Sequence, residues 1–124
     1  MNTAEFKAIP TFRILDYKQA INFYIGVLGF NIDWEHRFDS TEPVYMQISK
    51  NGLVLHLSEN KRFQTSVIIF VQTKGINDFR KELLERNPTI SLPEISKTNW
   101  QTLQLELEDP FGNLLRFNET MISN

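Results

Sequence analysis

His56 stands at the centre of what little chemistry this chain can carry. It alternates with Leu55 and Leu57 in a strand-like run, so its side chain leaves by the face opposite the leucines. By the same alternation Tyr45 and Gln47 oppose Val44, Met46 and Ile48, and Gln104 opposes Leu103, Leu105 and Leu107. Arg116 falls on the polar side of the last strand. A polar face carrying aromatic rings suits the lining of a groove, and it equally suits a plainly solvated surface. Periodicity alone leaves both readings open. His56 itself reads as a hydrogen-bonding group for a ligand, an acid–base group, or a histidine completing a polar lining. No nucleophile or base partner is visible beside it, so no catalytic residue is assigned.

The residue inventory narrows the chemistry further. The 124 residues include two histidines and no cysteine. Disulfides, thiolate nucleophiles and sulfur-ligated metals are excluded, and any metal site would need carboxylate help. Fifteen acidic residues against thirteen basic ones give a net charge of -2. That balance lacks the basic footprint of phosphate-backbone binding, so no nucleic-acid partner is expected. The longest strongly apolar run, residues 67–71, is far too short to cross a bilayer. The amino terminus lacks a basic segment followed by an apolar stretch, so no secretory signal is read and the cytoplasm is the expected compartment.

The elements that position these residues follow from spacing. Residues 8–14 have strand character. Asp16 can cap a helix, with Gln19 three residues on, and Ile21, Tyr24, Ile25 and Leu28 make its apolar stripe before Gly29 ends it. Strands are expected over 30–38, 44–49 and 53–58, the last two joined by an Asn51-Gly52 hairpin turn. The second half repeats that order. A strand over 66–72 precedes a helix marked by Ile76, Phe79, Leu83 and Leu84. A short strand follows near Ile95, then a strand through Leu103–Leu107, a turn at 109–113 and a last strand over 114–118. The grammar is strand, helix, then three strands, stated twice in one domain, with modules at about 8–60 and 65–119 of residues 1–124.

Two large flat rings are candidates for stacking on a planar ligand. Trp34 shares the parity of Ile32 and so fits the core equally well. His36 shares that parity too, and reaches a groove only if the strand twists or bulges. Trp100 follows a loop and is the better candidate for a groove rim. Asp109 and Gly112 read as turn chemistry alone.

The order and spacing of several short motifs carry a resemblance. Ile9-Pro10-Thr11-Phe12-Arg13-Ile14, Asp16, Phe23-Tyr24 and Leu28-Gly29-Phe30, with the closing Asp109-Pro110-Phe111-Gly112-Asn113, resemble the glyoxalase/bleomycin-resistance (vicinal oxygen chelate) superfamily. Asp33-Trp34-Glu35-His36-Arg37-Phe38, Tyr45-Met46-Gln47 and Leu55-His56-Leu57-Ser58-Glu59 resemble its bleomycin-resistance branch. The resemblance implies an α+β fold in which two βαβββ modules form an eight-stranded, U-shaped sheet around a cavity. It also implies a homodimer, often with sites built jointly by both subunits. Phe111 would then cover the cavity mouth or pack against the end of the barrel.

Metal-dependent members of that superfamily carry a ligand on each of four strands. By motif those positions fall here on Ile9, His56, Ser66 or a neighbour, and Arg116. Isoleucine has no lone pair to give and guanidinium is not a ligand, so no metal and no cofactor is expected. The resulting expectation is a metal-independent binding protein that sequesters a drug-like or planar molecule, bleomycin-class antibiotics included, in dimer grooves. Its lining candidates are His56, Arg116, Tyr45, Gln47, Trp100, Gln104, Phe111, Trp34 and His36. The alternatives are a superfamily enzyme (lyase, isomerase or dioxygenase) with an unconventional site, or a small-metabolite sensor.

Overall fold

The structure is a computed structural model and describes residues 3–121. Its strands fall into two four-stranded sheets of the same design. In the first module β1 (Thr11–Arg13) runs parallel to β4 (Leu53–Ser58), which pairs antiparallel with β3 (Tyr45–Lys50), and β3 with β2 (Asn31–His36). The second module repeats this pattern. There β5 (Ile68–Gln72) runs parallel to β8 (Leu114–Thr120), followed by β7 (Thr102–Glu108) and the two-residue β6 (Ser96–Lys97). The chain therefore has the expected α+β fold of two βαβββ modules. Its eight strands occur as two separately hydrogen-bonded sheets.

Local chemistry explains the element boundaries. Asp16 caps α1 (Tyr17–Ala20), its carboxylate accepting the Gln19 N–H at 2.8 Å. The helix runs on as a π-helical segment (Ile21–Val27), with the Leu28 N–H reaching back to the Phe23 carbonyl at 2.9 Å. Tyr24 and Leu28 still meet the core, as the apolar stripe requires. Asn51 and Gly52 both have positive φ (49° and 89°), the geometry that lets a two-residue turn follow the twist of β3 and β4. In the second module α2 (Ile76–Arg86) starts at Gly75. Glu119 of β8 supplies its first-turn acceptor, 2.8 Å from the Ile76 N–H.

Both modules feed one core. Phe12, Met46, Ile48, Leu55 and Leu57 of the first pack with Ile76, Leu83, Leu105, Leu115 and Phe117 of the second. A buried polar seam closes the junction. The Tyr24 hydroxyl donates to Asp109 at 2.7 Å, and Asn113 Nδ2 donates to the Asp109 carboxylate at 2.9 Å and the Arg13 carbonyl at 3.1 Å. Among the described residues no helix is long and apolar enough to cross a membrane.

Candidate functional site: an aromatic face wired through His56

The face of the first sheet opposite the core gathers most of the first-module candidates. Register places Thr11, His56, Gln47 and Trp34 side by side across the four strands. The next row is Arg13, Ser58, Tyr45 and His36. Simple alternation puts Trp34 and His36 on the face of Ile32, where the core lies. The register shift between Ile32 and Trp34 overturns that assignment. Asp33 is the extra residue of a β-bulge, so the strand resumes with its parity reversed. Trp34 then pairs with Gln47 and His36 with Tyr45, on the side of His56.

The side chains on this face form one hydrogen-bonded chain. Gln47 Nε2 donates to Asp33 at 3.0 Å, and Ser49 Oγ donates to the other Asp33 oxygen at 2.9 Å. A carboxylate only accepts, so Gln47 presents its amide carbonyl to His56 Nε2 at 3.0 Å. His56 must donate there. Its Nδ1 is left as the acceptor for the Tyr45 hydroxyl at 2.8 Å, and Thr11 Oγ1 lies 3.3 Å from that hydroxyl. The network holds His56 neutral with its proton on Nε2. Burial works in the same direction, drawing the imidazole below its ordinary pKa.

Aromatic rings complete the face. Trp34 stacks on Tyr45 with centroids 6.0 Å apart and planes 12° from parallel. His56 meets both rings edge-on, at 5.3 Å and 5.1 Å. Phe63, from the loop after β4, adds a third ring 6.0 Å from Tyr45. The Trp34 side remains open, 42% exposed.

The other candidates lie elsewhere. Arg116 and Gln104 belong to the second sheet, on its face away from the core. Arg116 Nε donates to Glu106 at 2.6 Å, and Gln104 accepts from Asn118 at 3.2 Å. Trp100 is exposed in the loop between β6 and β7. Phe111 takes the second of its two expected placements: it packs in the core, 8% exposed, in a turn that folds inward around the buried Asp109. A cavity of about 320 Å³ opens between the modules near Phe30, Lys50, Phe79 and Phe117. It shares no lining residue with the aromatic face. Sequence reading passed over Asp33, Phe63 and Thr11 as parts of the network. Asp33 fits the alternation of its strand, so spacing alone gave no sign of the bulge.

A sequence profile described as a glyoxalase superfamily protein matches residues 2–123. The chain belongs to the glyoxalase superfamily. No curated protein sequence matches it. Solved structures share its fold at low identity. A bleomycin-binding protein complexed with bleomycin is 19% identical, with a TM-score of 0.71 over 94% of this chain and 99% of its own. A bleomycin resistance determinant encoded on transposon Tn5 is 18% identical, with a TM-score of 0.73 over 95% and 100%. An antibiotic-binding protein from Streptomyces sp. CB03234 is 18% identical, with a TM-score of 0.66 over 94% and 98%.

The superfamily's metal chemistry does not fit this donor set. Both nitrogens of His56 are committed, to Tyr45 and Gln47. Arg116 is tied to Glu106, and Ile9 offers no donor. Among the described residues no group of three or more histidines or carboxylates converges as a metal site would require. No step through a metal is derived.

Proposed function

We propose that this superfamily member is a metal-independent binding protein that holds a planar, drug-like molecule against the aromatic face, in a groove completed by a second copy of the chain. The observation that carries this reading is the Trp34–Tyr45–His56 cluster. Its polar atoms satisfy one another while the outer Trp34 ring stays open to solvent. Such a surface attracts flat apolar ligands at little cost, because no buried polar atom must be stripped of a partner. It is poorly suited to proton transfer, since both imidazole nitrogens are engaged with neutral groups. The likeness to bleomycin- and antibiotic-binding proteins adds support from the fold.

A second copy is favoured by what one chain leaves bare. Ile68 and Phe70 stand on the outer face of the second sheet beside Arg116, each more than half exposed. Apolar side chains grouped on an open sheet invite cover. Titration calorimetry with a bleomycin-class glycopeptide and a panel of planar aromatics tests the reading, alongside sedimentation for the dimer. Micromolar binding that Trp34→Ala abolishes is the expected result. Absence of heat across the whole panel overturns the reading, and a monomer at all concentrations removes the shared groove.

A further inference from the structure

Arg13 ends the row that contains Tyr45, on the same face as Thr11 and His56. Its Nε is buried, and it is the one buried side-chain nitrogen or oxygen among the described residues with no hydrogen-bond partner. Among the described residues no hydrogen bond or ion pair engages its guanidinium. A buried donor left empty is costly, more so when it is charged. A buried group of this kind calls for a partner from outside the chain, whether water, an ion or a ligand.

Three carboxylates around the first sheet bond to groups other than the Arg13 side chain. Asp109 reaches Arg13 only through Asn113, which bonds the Arg13 backbone carbonyl. It already accepts from the Tyr24 hydroxyl, the Phe111 and Asn113 N–H groups and Asn113 Nδ2. Glu59 accepts from Arg37 and the Val44 N–H. Asp33 is held by Gln47 and Ser49, three strand spacings away, or about 14 Å across the sheet. That exceeds the screening length at physiological salt, about 8 Å. Arg13 therefore sets a guanidinium that no carboxylate hydrogen-bonds at its end of the aromatic face. The Asp33 end carries the negative charge.

We infer that the ligand of this face is a planar organic anion, its ring system on Trp34 and Tyr45 and its carboxylate, sulfonate or phosphate group taken by Arg13. The inference rests on the aromatic face being a binding site and adds the charge of what binds. Arginine's fork matches a planar oxyanion with two parallel N–H···O bonds, which a cationic or neutral ligand forfeits. Charge-assisted bonds of this kind correspond to roughly tenfold or more in affinity.

The test compares naphthoate, naphthamide and naphthylmethylammonium by titration calorimetry against the full chain. They present the same ring with a negative, neutral or positive group. Naphthoate is expected to bind at least about tenfold more tightly than naphthamide, with the ammonium weakest. Arg13→Gln is expected to abolish that preference, lowering naphthoate affinity to about that of naphthamide for the same variant. Arg13→Lys, which keeps the charge and loses the fork, is expected to retain part of the preference and serves as the second variant if Arg13→Gln fails to fold. Equal binding of naphthoate and naphthamide overturns the inference and leaves the binding face standing. So does a preference that survives in Arg13→Gln. Binding of none of the three overturns the face as a site, and this inference with it.

Discussion

Tyr24→Phe removes one oxygen atom from the junction of the two modules and leaves the packing intact. The hydroxyl is fully buried and donates to Asp109 Oδ2 at 2.7 Å. Burial, reinforced by the Asp109 charge, drives its pKa far above the ordinary tyrosine value, so it remains a donor at every working pH. A hydrogen bond to a charged acceptor is worth about 1.5–3 kcal/mol net. Asp109 keeps three further donors from Phe111 and Asn113, so the carboxylate is not orphaned and the loss belongs near 2 kcal/mol. Unfolding entropy for a chain of 124 residues is about 0.26 kcal/mol per degree. The variant should therefore melt about 8 °C lower by calorimetry, with an unchanged far-ultraviolet spectrum. A fall of less than about 2 °C would refute the assignment of this bond as a main tie between the modules.

Asn113→Ala should be costlier still. Asn113 donates to Arg13 and Asp109 and accepts the Val67 N–H at 3.0 Å, so a loss of about 3 kcal/mol or more is expected in urea unfolding. For His56 the folded pKa lies below the unfolded value, so the unfolded chain takes up its proton first as pH falls. The stability that neutral His56 contributes is complete above about pH 6.5 and is lost as pH falls through its folded value. The melting temperature of the native chain should fall more steeply than that of His56→Gln on mild acidification; parallel curves would contradict the neutral assignment. Deleting Asp33 removes the bulge yet leaves Ile32 opposite Ile48 and Trp34 opposite Gln47. Tryptophan fluorescence should therefore change little, whereas emission typical of a fully solvated indole would show that the bulge holds Trp34 in place.

What the sequence disclosed is what depends on neighbours in the chain. The Asp16 cap, the Asn51-Gly52 turn and the alternations at Leu53–Ser58 and Leu103–Leu107 are local, and each appears where spacing puts it. The face of Trp34 was not legible, because one additional residue inverts everything after it and a bulge has no fixed signature in an isolated strand. Between the two readings of Phe111 spacing could not choose, for a related reason. An aromatic in a turn reads as exposed until the turn folds around a buried carboxylate, and the hydroxyl that buries with Asp109 comes from Tyr24, 85 residues earlier. Arg13 gave no signal at all, since its significance lies in the absence of an acceptor that only three dimensions reveal.

Two histidines and no cysteine left metal chemistry dependent on His56, and the structure shows what that residue does instead. Asp33 fixes the direction of every bond from Gln47 through His56 to Tyr45, so the polar groups at the centre of the face have little left to offer a ligand. Recognition must then divide. On the proposed binding role, affinity would come from ring surface on Trp34 and Tyr45, which discriminates poorly among flat molecules. Selectivity would fall to Arg13, whose buried Nε has no hydrogen-bond partner among the described residues. A binding face of this design would tolerate variation in the ring it holds and be strict about the charge that ring carries.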